Sequence, residues 1–169
     1  MPLRPAFLLA LGIGVFGYSI DQLTKWYAVE RLTERQPVEV IGAFLRFTLI
    51  YNPGAAFGLG SSATLALSIF AIVALLACVI IGLPRVRTMP QGLALGLLMA
   101  GIAGNLHDRL LRGDAPLFGE VVDFFQLPNF AIFNVADICI TSAAVLVILM
   151  AFQDGRRERK AEAQKSSVQ

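Results

Sequence analysis

The sequence predicts an all-α membrane bundle of four transmembrane helices with a small β-sheet cradle on its outer side. Three observations predict it. The 169-residue chain is 56% hydrophobic with a mean hydropathy of +0.68, and only 15% of its residues are charged, against roughly a quarter in a soluble domain. Its charges are also clustered. No Asp, Glu, Lys or Arg lies between Arg46 and Arg85 or between Arg87 and Asp108, and only Asp137 lies between Asp123 and Asp154. Finally, the polar segment after the first apolar stretch carries two runs with strand-like alternation.

A bilayer core takes about 20 mostly apolar residues per helix, and four stretches meet that need. They run over about 7–22, 62–83, 91–110 and 132–152. The first is short. Its exit, Gly17-Tyr18-Ser19-Ile20-Asp21, lacks the A-x-A pattern of a cleaved signal peptide, so it reads as an uncleaved helix. A β region is expected over 36–58, because Val38-Glu39-Val40 and Leu45 to Tyr51 alternate apolar and polar residues, bracketed by Gly42 and the Asn52-Pro53-Gly54 turn. Residues 112–130 hold Gly113, Pro116, Gly119 and Pro128 and read as an irregular loop, a candidate lid that hugs the membrane. Residues 1–155 form the four-helix domain, and 156–169 a basic, solvated tail. Cys78 and Cys139 fall inside spans and read as packing residues.

Lysine and arginine placement sets the orientation. With four spans both termini share a side. That side holds eight cations against Asp154, Glu158 and Glu162, whereas the other holds six cations and nine acids. The positive-inside rule puts both termini in the cytoplasm.

Polar residues inside spans are expensive and mark function. Here three sets fall near the outer ends of their helices. Asp21 and Lys25 close the first span, Asn105, Asp108 and Arg109 close the third, and Asn134 and Asp137 open the fourth, with Asp123 just ahead. Asp21 with Lys25 has the spacing of an interfacial ion pair. The lone His107 faces away from the 105–109 stripe and is given no role. One histidine leaves no multi-histidine metal site, no H-E-x-x-H and no G-x-S-x-G elbow, so no metal is expected. A carboxylate pair remains. Two close aspartates share a proton, one charged to activate water and one neutral to polarise a carbonyl, and Asp123 and Asp137 are the candidates.

These residues resemble the lipoprotein signal peptidases (signal peptidase II). Asp21-Gln22-Leu23-Thr24-Lys25 looks like the family's D-x-x-[ST]-K element, and Asn52 to Phe57 like its N-x-G-x-[AS]-[FW]. Gly101 to Arg109 is similar to its G-x-x-G-N-x-x-D-R run. Val121-Val122-Asp123-Phe124 and Phe133-Asn134-Val135-Ala136-Asp137 resemble the two segments carrying its catalytic aspartates. The resemblance implies four spans with a periplasmic β-cradle and lid, in a bacterial inner membrane. It implies cleavage on the amino side of a diacylglyceryl-modified cysteine in prolipoproteins, with Asp123 and Asp137 activating water and no cofactor. Asn52, Gly54, Gly104, Asn105, Asp108, Arg109 and Asn134 would position substrate or support the aspartates, while Asp21 and Lys25 would serve the outer wall. Membrane lipid and globomycin-like cyclic peptides are the expected partners, and no nucleic acid is. A transporter would more often place such groups at mid-membrane in broken helices, and the G-x-G-D tetrad of another intramembrane aspartic protease class is missing.

Overall fold

The computed structural model describes residues 4–54 and 60–166. Among the described residues, four helices are long and apolar enough to cross a membrane. Helix α1 spans Pro5–Arg31, and α2 spans Gly60–Ala77, continuing through a π-helical turn, Cys78–Gly82, into the short α3, Leu83–Arg85. Helix α4 spans Met89–Leu111 and α5 spans Val135–Ser166. Proline near the start of α1 and α4 costs nothing there, because the first helical N–H groups have no partner within the helix. Thr88 caps α4 in a reciprocal box with Gln91.

Three helix ends differ from expectation. Helix α1 runs to Arg31, well beyond Gln22. Asp21 and Lys25 neutralise each other inside the protein and so do not terminate the helix. Helix α5 starts at Val135, later than 132, because Phe133 is drawn into a bridge with Phe125. It then continues through Arg156 to Ser166, where Arg, Glu, Lys and Ala are all good helix formers.

The sheet has three antiparallel strands in the order β1 (Val38–Ile41), β2 (Leu45–Asn52) and β3 (Val121–Gln126). The third strand corrects the reading of 112–130 as wholly irregular. Val121–Gln126 pairs with β2, Ile50 opposite Asp123 and Asn52 opposite Val121. Val122 and Phe124 pack with Ala28 and Leu49 in the small core between α1 and the sheet. Ala55, Ala56 and Phe57 of the family-like N-x-G element lie outside the described residues.

Helices α1, α4 and α5 form the tight part of the bundle, and small residues let them approach. A Cβ on Gly92 would strike the Ala6 carbonyl, one on Gly17 would lie 2.8 Å from Ala100 Cβ, and one on Gly101 would strike the Ala136 carbonyl. Close backbone approach of this kind replaces the hydrophobic drive that helices lack in lipid. Buried Cys139 belongs to the same packing, its Sγ facing Gly17. Helix α2 touches the bundle chiefly through α4, and Gly82 of the π-helical turn lies against Leu95.

Gly96 gives a direct test, since an added Cβ there would sit 2.7 Å from the Ala10 carbonyl oxygen and 2.8 Å from Ile13 Cβ. Gly96→Leu is expected to cost about 1–3 kcal/mol through overpacking and to lower Tm in detergent. Gly12→Leu, at a position with open space around it, should leave Tm unchanged. Equal melting of the two variants would contradict this packing.

Candidate active site

Asp123 sits on β3, strapped to β2, and is 2% exposed. Its Oδ2 accepts from Asn52 Nδ2 at 2.9 Å and its Oδ1 from Asn134 Nδ2 at 2.6 Å. Asn52 is aimed by its own turn: its Oδ1 accepts from Gly54 N at 2.9 Å, with Gly54 at φ +95°, a conformation suited to glycine. The amide nitrogen of Asn52 is thereby left facing Asp123.

Asp137 stands in the first turn of α5. Phe133 exchanges backbone hydrogen bonds with Phe125 at 2.8 and 3.0 Å, which ties the entrance of the helix to the sheet. Asn134 then caps α5. Its Oδ1 accepts from Asp137 N at 3.0 Å, and Asp137 Oδ2 accepts from Asn134 N at 3.2 Å, the reciprocal arrangement of a capping box. Asp137 Oδ1 accepts from Asn105 Nδ2 at 2.9 Å. One residue, Asn134, therefore touches both aspartates, and it also donates to Asn105 Oδ1 at 3.1 Å.

Beneath the pair lies a buried ionic cluster. Lys25 Nζ contacts Asp21 Oδ2 at 2.9 Å, Asp108 Oδ2 at 2.8 Å and Asn105 Oδ1 at 3.0 Å. Asp21 Oδ1 accepts from Ala136 N at 2.8 Å, and Asp108 Oδ2 from Val122 N at 3.2 Å. Arg112 Nε completes Asp108 at 2.7 Å. Gly104 is required here, because a Cβ would collide with Asp21. These four charges sum to zero.

The upper group does not balance until it takes a proton. Arg109 interacts electrostatically with Asp123, Asp137 and Asp108, and Lys25 also draws on the Asp123 charge. Burial, chiefly, pushes the Asp123 carboxyl up to about 7. The Asp137 charge adds to that rise, while the hydrogen bonds from Asn52 and Asn134 oppose it. Arg109 donates to the Asn105 carbonyl at 3.4 Å, and its buried Nε has no partner among the described residues. Such an arrangement can hold one shared proton and present a free donor beside it.

Of the residues expected from the sequence, Asn52, Asn105, Asn134, Asp123 and Asp137 converge in one network. Asp21, Lys25 and Asp108 join it through Asn105, but all three are fully buried where α1, α4, α5 and β3 meet, not placed at an outer wall. Asp123 is on a strand and not in a loop. His107 stays outside, its Nδ1 2.8 Å from the Tyr18 hydroxyl. Gln22 was missed: its Nε2 donates to Asp21 Oδ2 at 3.0 Å and to the Gly104 carbonyl at 3.2 Å. Arg112 was missed too, although its i,i+4 spacing from Asp108 is a legible ion-pair signal.

Removing the ammonium would leave Asp21 buried without a cation and Asp108 with Arg112 alone. Lys25→Met is expected to cost about 3–5 kcal/mol of stability, and adding Asp21→Asn should recover part of it. Thermal unfolding in detergent reads both. An unchanged Tm for Lys25→Met would show that the cluster does not hold these elements together.

Known proteins share this architecture. A family model described as signal peptidase (SPase) II matches residues 13–153. The lipoprotein signal peptidase of Streptomyces coelicolor is 38% identical over 152 residues, covering 89% of this chain and 72% of that protein. That of Leifsonia xyli subsp. xyli is 39% identical over 168 residues, covering 96% and 77%. Two crystal structures of a bacterial membrane enzyme, at 2.3 and 1.9 Å resolution, superpose with TM-scores of 0.75 and 0.76 at 34% and 33% identity. Each covers 86% of this chain, which matches 88% and 93% of theirs. With the family's model spanning nearly the whole helical bundle, and with that fold around its buried polar network, the chain belongs to the signal peptidase II family and is a multi-pass membrane peptidase.

Proposed function

We propose that the chain removes signal peptides from prolipoproteins by cutting on the amino side of the diacylglyceryl-modified cysteine, with Asp123 and Asp137 as an aspartic pair. One observation carries this reading: Asn134 touches both carboxyls, Asp123 through its side-chain amide and Asp137 through its backbone N–H, while Asn52 and Asn105 each secure one of them. Two carboxyls so linked, with Arg109 facing both, hold a single proton between them. The ionised member takes a proton from water, whose oxygen attacks the scissile carbonyl. The protonated member polarises that carbonyl and then protonates the leaving amine. Arg109 Nε, buried with no described partner, is the donor available to the substrate backbone.

A substrate anchored by two acyl chains presents its scissile bond at the bilayer interface, the depth at which the helix ends carry these polar groups. We place both termini in the cytoplasm of a bacterial inner membrane, with the pair at the periplasmic face, on the excess of cations that the termini share with the 84–88 connection. A globomycin-like cyclic peptide would compete for the same cleft.

Purified protein in detergent with a diacylglycerylated prolipoprotein tests the assignment. Asp123→Asn and Asp137→Asn are each expected to reduce turnover about 100-fold or more. Near-normal turnover by either would remove the pair from the mechanism.

The pH dependence follows from Asp123. As pH climbs through about 7 the pair loses its shared proton, so kcat/KM should fall on the alkaline side with an apparent pKa near that value. Asn52 donates to the ionised form and holds the Asp123 carboxyl down. Asn52→Ala should therefore move the alkaline limb to higher pH. A limb that stays in place or moves down would exclude this role for Asn52.

A further inference from the structure

Between Thr64 and Ala77, α2 buries two residues, and both carry hydroxyls. Thr64 is 1% exposed and Ser68 is fully buried, one turn apart on the same face. Their partners are not a neighbouring helix but the two segments that border the sheet. Thr64 Oγ1 donates to the Pro53 carbonyl, in the turn that aims Asn52. Ser68 Oγ lies 2.7 Å from the Leu117 carbonyl and 2.8 Å from the Thr64 carbonyl.

Leu117 lies in the connection between α4 and β3. The base of that connection is closed by Gly119 N donating to the Arg109 carbonyl at 3.0 Å, and by Gly113 packed against Gly119. Its exit leads straight into β3 and Asp123. Leu117 itself is held at φ +75°, where a side chain with a Cβ is strained. Such a conformation persists only where its surroundings hold it, and the Ser68 hydroxyl is one of those holds.

Ser68 has one proton and two carbonyls in reach. Bonded to Leu117, it ties the connection to α2. Turned to Thr64, four residues back, it is satisfied within its own helix, as serine in a membrane span commonly is. Release therefore leaves no buried donor unpaired on α2, and relieves the Leu117 backbone.

We propose that Ser68 is a positioning residue, a reversible latch that holds the 112–120 connection against α2 and so sets the strand bearing Asp123. The catalytic consequence rests on the peptidase reading above; the latch itself does not.

The test uses the full chain in detergent and compares wild type, Ser68→Ala and Ser68→Ala/Leu117→Gly. Hydrogen–deuterium exchange follows the 118–120 amides, and a diacylglycerylated prolipoprotein reports turnover. Loss of one hydrogen bond should raise exchange at those amides about tenfold, with α1 and α4 amides unchanged. It should lower kcat about fivefold to tenfold with little change in KM. Glycine at 117 accepts the positive φ without strain, so the double variant should recover part of both losses. Unchanged exchange in Ser68→Ala, a rise spread over every helix, or no recovery in the double variant would overturn the latch. If exchange behaves as expected while wild type cleaves no prolipoprotein, the peptidase reading fails and the latch stands.

Discussion

Everything near the site depends on one buried ammonium. Lys25 has three hydrogens and three acceptors, Asp21 on its own helix and Asn105 and Asp108 on α4. Through those acceptors it reaches further. Asp21 holds the Ala136 N–H at the start of α5, and Asp108 holds the Val122 N–H on β3. Three helices and a strand are thus indexed to a single charge. Taking such a group out of water is costly, and apolar packing of equal volume often stabilises as well. What an ionic centre does is select one depth and one rotation of each element, because any slip would leave a bare charge. Where lipid supplies no hydrophobic drive between helices, that selection matters more than net stability.

The site divides its work between charges and amides. The lower cluster pairs Asp21 and Asp108 with Lys25 and Arg112 and is electrically closed. The aspartates above are held mainly by neutral side chains, Asn52, Asn105 and Asn134. An amide aims a carboxyl without bringing a full positive charge to it. Had lysine or arginine filled those three places, both carboxyls would remain ionised and no proton would be left to share. Arg109 provides a counter-charge beside both acids, and the Asp123 carboxyl rises chiefly because it is buried, with the Asp137 charge adding to that rise.

Much of this was legible in the sequence, for reasons tied to particular residues. The spans show because a bilayer tolerates few charges, and the gaps after Arg46 and Arg87 have none. The polar sets at 21–25, 105–109 and 134–137 come to one depth because alternate helices run in opposite directions. Pairing inside the protein was not legible. Asp21 and Lys25 look like the end of a span, and their mutual neutralisation carries α1 on to Arg31. Strand β3 was hidden because Val121-Val122 and Phe124-Phe125 break alternation, and because its partner strand lies far off, with Asn52 71 residues from Asp123. Thr64 and Ser68 carried no signal, since a hydroxyl in a span ordinarily turns back onto its own helix.

The order of the strands along the chain has a consequence for synthesis. The hairpin of β1 and β2 is complete once residue 52 has emerged, but β3 begins at Val121 and the bridge from Phe133 closes later still. Asn134, the residue that joins the two acids, comes after all of these. A chain made only as far as β3 therefore carries Asp123 with neither its companion nor the asparagine that joins them. The network that joins Asp123 to Asp137 closes only with the last helix, and a chain stopped short of it has the sheet but not the joined pair.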